Sequence, residues 1–117
     1  MLLGDKMIHK MRLVNFAFEA IKIGEKDIEV RLNDEKRKLI NIGDIIEFTN
    51  IDTNETIMVK VINLYHYDTF LELFNNFDNK RIGLKEDDDA SIMDNFYSKE
   101  EQEKYGVLGI EIKLINN

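Results

Sequence analysis

From Gly24 to Leu32 the chain reads Gly-Glu-Lys-Asp-Ile-Glu-Val-Arg-Leu. Glu29 and Arg31 are two residues apart, so on an extended strand they share a face. Together they set a carboxylate beside a guanidinium. The guanidinium can grip a phosphate or carboxylate with two parallel hydrogen bonds. The carboxylate can accept from an amino group or take a proton as a base. Lys26 adds a cation at the rim, which makes Lys26, Glu29 and Arg31 the first ligand-binding candidates. In an enzyme the catalytic groups would be Lys26 and Glu29. A lysine acts as base or nucleophile only when its pKa is depressed. Burial of Lys26 beside Arg31 would therefore point to an enzyme, and exposure to a binding module. The plain alternative is a solvated strand face with a cross-strand ion pair, contributing less than ~1 kcal/mol.

The loop Asn33-Asp34-Glu35-Lys36-Arg37-Lys38 carries three consecutive cations. Lys36 and Arg37 are candidates for contact with a phosphate backbone. Asp34 and Glu35 offset much of that charge, so a solvated loop is the competing reading. His9 and His66 lack partners at metal-ligand spacing. The stretch from Asp52 to Ile57 lacks the glycine of a calcium loop, and the one from Asp78 to Gly83 has Lys80 where an oxygen ligand is required. No phosphate-cradling glycine loop or serine elbow is present. Asp87-Asp88-Asp89 reads as a solvated acidic loop. Tyr65, Tyr67, Tyr97 and Tyr105 can stack on a base, or pack their rings and hydrogen-bond their hydroxyls. No metal and no cofactor is expected.

Several elements must hold these groups. Ile8 to Leu13 reads as a strand. Val14, Ala17, Phe18, Ala20 and Ile21 then follow helical spacing, and Gly24 can close that helix in the left-handed conformation. Asp27 to Leu32 alternates, with Ile28, Val30 and Leu32 against Asp27, Glu29 and Arg31, the period of a half-buried strand. Gly43-Asp44 turns into a strand from Ile45 to Thr49. Asp52-Thr53-Asn54-Glu55 is a hairpin turn by residue type. A strand from Thr56 to Tyr65 follows, with Ile57, Val59 and Val61 on one face and Asn63 next in the series. Thr69 and Glu72 have the form of a capping box opening a helix that carries Phe70, Leu71, Phe74 and Phe77. Lys85 to Lys104 is acidic and contains two more helical turns, the second opened by Ser98 and Glu101. Val107 to Leu114 closes the chain as a strand. Short meandering strands of this kind suit a small barrel or curled sheet, with the helix from Val14 to Ile23 over one opening.

At 117 residues and 44% apolar composition, residues 1–117 are expected to form one domain with one core. The chain has no cysteine, and hence no disulfide, thiolate metal site or thiol nucleophile. No apolar run reaches the ~20 residues that cross a membrane, and Met1 to Lys6 lacks the apolar stretch of a secretory signal. A cytoplasmic protein with no membrane partner is expected. The net charge of −7 argues against coating long duplexes, because phosphate neutralisation needs a basic footprint. A local basic cleft for a short single strand or a nucleoside remains compatible with it.

The residues resemble the ASCH domain family, which has a PUA-like fold. The matching pieces are Gly24, Lys26, Glu29 and Arg31 in Gly-x-Lys-x-x-Glu-x-Arg, then Gly43-Asp44 and the strand ending in Phe48. Tyr97-Ser98-Lys99-Glu100-Glu101, Tyr105-Gly106-Val107 and Ile110-Glu111-Ile112 complete the resemblance, which runs from about His9 to Leu114. It implies an α+β fold, mainly β with short helices: a PUA-like curled sheet or β-barrel of five to six strands with helices at its openings. It also implies a cleft beside the first helix, lined by the strand from Lys26 to Arg31, and a part in RNA biology. The expected function is recognition of single-stranded RNA or a modified nucleoside, with no tight binding of duplex DNA. The alternative is a small amidohydrolase acting on acylated cytidine-like nucleosides. In the family branch with that activity a lysine, a threonine and a glutamate are catalytic. The lysine matches Lys26, the threonine position is occupied by Glu29, and the glutamate falls near Glu86. A third reading is a protein-interaction domain using the acidic helical region.

Overall fold

The computed structural model describes residues 7–115; Met1 to Lys6, read above for a secretory stretch, lies outside the described residues. The elements in chain order are β1 (Ile8–Leu13), α1 (Asn15–Lys22), β2 (Ile28–Leu32), β3 (Ile45–Asn50), β4 (Thr56–Tyr67), α2 (Phe70–Asn75), α3 (Asn79–Ile82), α4 (Lys99–Tyr105) and β5 (Val107–Leu114). Short 3₁₀ segments cover Arg37–Leu39 and Ala90–Asn95. The strands make one curled, half-barrel sheet in the order β1-β3-β4-β5-β2, the five-stranded α+β arrangement expected. β3, β4, β5 and β2 pair antiparallel. β1 pairs with β3 in parallel, Met11 opposite Phe48, which departs from a simple meander. A parallel pair needs a long crossover connection, and α1 and β2 lie in it.

Alternation divides the apolar residues between two faces of the sheet. On one, Phe18 and Ile21 of α1 pack with Met11, Phe48, Val59, Leu108 and Ile110. On the other, Ile28, Val30 and Leu32 pack with Phe70, Leu73 and Phe74 of α2 and with Ile82. α1 thus covers one side of the curl, and α2 with the segments after it covers the other. Leu73 rather than Leu71 faces this core; Leu71 is exposed. A side chain at Gly109 would meet Leu73 at 3.2 Å, so the bare glycine lets α2 sit close to β5. Register slips between Val61 and Asn63. Ile62 is the extra residue of a bulge, and it moves Asn63 off the face of Val61. Ser98 and Glu101 form the expected reciprocal box, whereas at Thr69 only half of it forms: the hydroxyl accepts from the Glu72 amide, and the Glu72 carboxylate meets that hydroxyl rather than the Thr69 amide. Among the described residues no helix is long and apolar enough to cross a membrane.

The Gly43-Asp44 turn is locked to β1. Asp44 Oδ2 accepts from His9 Nε2 at 2.8 Å and from the Asn41 amide at 2.9 Å. A carboxylate only accepts, so Nε2 is the protonated nitrogen of His9. Burial works against the Asp44 charge, but the bonds from His9 and Asn41 outweigh it and hold the carboxyl below its ordinary value. A carboxyl depressed by folding stabilises above its unfolded pKa of about 3.9, and that contribution is lost as pH falls through the folded value. Asp44→Asn should therefore cost about 1–3 kcal/mol at pH 7 and progressively less once the pH has fallen below the folded value. Denaturant melts at pH 7 and in strong acid measure this; equal losses at both would mean the charge is immaterial.

Candidate functional site

β2 is an edge strand, yet it is buried on both faces. Its apolar side lies under α2 and α3, and its polar side faces inward beside Leu108 and Ile110, the β5 partners of Arg31 and Glu29. The half-buried strand with a solvated charged face is therefore corrected: Lys26 is 4% exposed and Glu29 5%. Period-two alternation separates polar from apolar residues, but it does not reveal that helical segments cover both sides.

The three ionisable groups meet. Glu29 Oε2 accepts from Arg31 Nε at 2.7 Å, and Oε1 lies 3.2 Å from Lys26 Nζ. Lys26 Nζ also donates to the carbonyls of Ile28 at 2.7 Å and Ile82 at 2.9 Å. Two of its hydrogens thus go to carbonyls, and Glu29 adds an ion pair. Ile82 ends α3, so Lys26 supplies a cation to the unsatisfied C-terminal carbonyls of that short helix. Arg31 Nη2 donates to the Arg12 carbonyl at 2.9 Å, tying β2 to β1, the opposite edge of the sheet. Arg31 keeps unused N–H donors, and the triad carries one net positive charge.

Electrostatics follow from burial and pairing. Burial pushes the Lys26 ammonium below its ordinary pKa, against the pull of Glu29. Burial would push the Glu29 carboxyl up, but Arg31 and Lys26 outweigh it and hold it below the ordinary value. Burial also opposes the Arg31 charge; Glu29 overcomes it and raises that pKa. The two carbonyls and the Glu29 carboxylate favour the ammonium form, against the burial that disfavours it.

These side chains line a cleft of about 580 Å³. Arg12, Leu13, Val14 and Phe16 border one side, Gly83 to Lys85 and Asp88 another, and Met93, Phe96 and Tyr97 a third. Tyr97 stacks on Phe70 with ring centroids 5.8 Å apart. Three neighbouring residues, Glu25, Lys26 and Asp27, are held by α3. Glu25 pairs with Lys80 at 3.7 Å, Lys26 with the Ile82 carbonyl, and Asp27 with the Arg81 guanidinium at 2.9 and 3.1 Å. Gly83 follows with φ +81°, and its bare Cα leaves room for the Lys26 stem.

The structure brings together Lys26, Glu29 and Arg31 and leaves the other candidates outside. Lys36 is exposed, and Arg37 folds back on Asp34, which accepts from its amide at 3.0 Å and from Nη1 at 3.4 Å. Neither lines the cleft, and Glu86 does not either. Among the described residues no group of three or more His, Asp or Glu is placed to hold a metal ion. Sequence reasoning missed Gly83, the Ile82 carbonyl, Phe16 and Phe96. One signal was available: Phe16 lies off the apolar stripe of its helix, an odd place for a large ring.

The ASCH domain model matches residues 11–116. No curated protein matches the chain. The crystal structure of the hypothetical protein PH0355 is 37% identical, with a TM-score of 0.82 over 93% of this chain and 100% of that one. The solution structure of PF0455 from Pyrococcus furiosus is 31% identical, with a TM-score of 0.75 over 95% of this chain and 100% of that one. A mutant ASCH protein from Zymomonas mobilis, 14% identical, shares the fold with a TM-score of 0.62 over 96% of this chain and 75% of that one.

Proposed function

The chain belongs to the ASCH domain family, and from that premise we propose that its cleft recognises single-stranded RNA or a modified nucleoside through Lys26, Glu29 and Arg31. ASCH domains are PUA-like, a group for which RNA binding has been suggested. The observation that carries the reading is a net-positive triad at one nucleoside-sized cleft in a chain of charge −7. Arg31 offers its spare donors to an anion or a ring acceptor, and Glu29 offers its remaining lone pairs to an amino group. Lys26, held by two carbonyls and paired with Glu29, sets the charge and the position of Glu29. Lys36 and Arg37 sit apart, where they would meet the phosphates of a longer strand.

Labelled single-stranded RNA titrated at low and moderate salt should bind weakly and salt-sensitively, and duplex DNA should bind less. Arg31→Ala should weaken RNA binding by roughly 1.5–3 kcal/mol in the protein that still folds. Arg31→Lys should recover part of that, lacking the planar fork. Equal affinity for duplex DNA, or no RNA binding at low salt, defeats the reading. Lys26 is buried and shares Glu29 with Arg31, the outcome named above as pointing to an enzyme, and burial lowers its pKa. Both favour a second reading, hydrolysis of acylated cytidine-like nucleosides. It requires Lys26 to release an acceptor and lose a proton. Turnover of such a nucleoside, abolished by both Lys26→Ala and Glu29→Gln, would establish it.

A further inference from the structure

The chain has seven phenylalanines. Phe18, Phe48, Phe70 and Phe74 are buried and Phe77 is partly so. Phe16 is 56% exposed and Phe96 66%. These two lie 80 positions apart, one in the first turn of α1 and one just after the 3₁₀ segment Ala90–Asn95. Both line the cleft that holds the Lys26–Glu29–Arg31 triad. Leaving two phenyl rings in water forfeits hydrophobic stabilisation, and apolar groups exposed together at one cleft, rather than scattered singly, are a mark of a binding surface. Lys85 Nζ lies over one face of the Phe16 ring, 5.7 Å from its centroid, leaving the other face for stacking; Arg12 lines the same cleft, as does the acidic Asp88. An apolar helix or an uncharged patch would gain nothing from those cations. A flat ring carrying a phosphate uses both features.

We propose that Phe16 and Phe96 are the stacking surfaces of the cleft, receiving one unpaired nucleobase while the triad meets its polar edge and Lys85 its phosphate. This rests on the nucleoside-binding reading and adds the residues that hold the base. Stacking on phenylalanine tolerates any base, because every base has a π-face. Selectivity among bases then falls to Glu29 and Arg31, while the aromatic mouth selects unpaired bases over duplex.

A short single-stranded oligonucleotide with one 2-aminopurine is the probe, alongside the same oligonucleotide with an abasic position there. The wild-type chain should quench the 2-aminopurine and bind the abasic strand about tenfold or more weakly. Phe16→Leu combined with Phe96→Leu should remove the quenching and bring the two strands to similar affinity. Both side chains are more than half exposed, so the double variant should melt close to the wild type. Quenching and affinity unchanged in the double variant overturn the stacking assignment while leaving the cleft's ligand class intact. No binding of either strand by the wild type at low salt overturns the nucleoside reading and this proposal with it. A wild-type dimer in sedimentation that the double variant disperses, with no effect on strand binding, makes the mouth a contact between copies and also overturns it.

Discussion

Glu29→Ala will cost the fold about 3–5 kcal/mol, because it leaves two cations buried without their anion. Lys26 and Arg31 both direct donors at the Glu29 carboxylate. Without it they repel each other inside the protein, and Lys26 keeps only the Ile28 and Ile82 carbonyls. Glu29→Gln should lose less, since an amide still accepts from one neighbour but balances neither charge. The pH dependence has a definite sign. Folding depresses the Glu29 carboxyl, so its contribution is complete above an unfolded pKa of about 4.3 and disappears as pH falls through the folded value. Urea melts of wild type and Glu29→Gln should thus separate at pH 7 and converge in strong acid. A loss below ~1 kcal/mol from Glu29→Ala at pH 7 would restore the solvated ion pair that spacing alone suggested.

Gly83→Ala should destabilise by about 2–4 kcal/mol, from left-handed backbone strain and from overlap with Lys26. Gly83 has φ +81°, and a Cβ there would stand 2.7 Å from Lys26 Cδ and 3.2 Å from Nζ. A lysine stem would ordinarily swing clear of such a clash at little cost. This one is pinned by two carbonyls and a carboxylate, so moving the stem breaks hydrogen bonds in the triad. The cause can be separated from strain by a double-mutant cycle. In a Lys26→Ala background the overlap is gone and only the backbone term remains, so the second substitution should cost roughly 1–2 kcal/mol. Strict additivity would mean that Gly83 serves the turn alone and has no part in placing Lys26.

Local interactions made much of the architecture legible. Alternation in Ile28–Leu32 and the Ser98-to-Glu101 box act over two or three residues, and the observed elements follow them. Gly24, expected to end the first helix, has φ +84°. The pairing of β1 with β3 was not legible, because period-two patterns say which face a residue takes and not which strand lies beside it. Nor was the bulge at Ile62, which changes the face of Asn63 through its mismatch with β5.

The same division runs through the site. Spacing along one strand was enough to put the Glu29 carboxylate and the Arg31 guanidinium on a common face, with Lys26 just before them in the chain. Tertiary structure decided that these groups are buried, that Lys26 spends a hydrogen on the carbonyl of Ile82, and that Arg31 reaches across to the carbonyl of Arg12. Burial of a charge is set by what the rest of the chain lays over it. Here Ile82, whose carbonyl holds Lys26, lies 56 residues away in sequence, a distance over which no local pattern carries information about solvent.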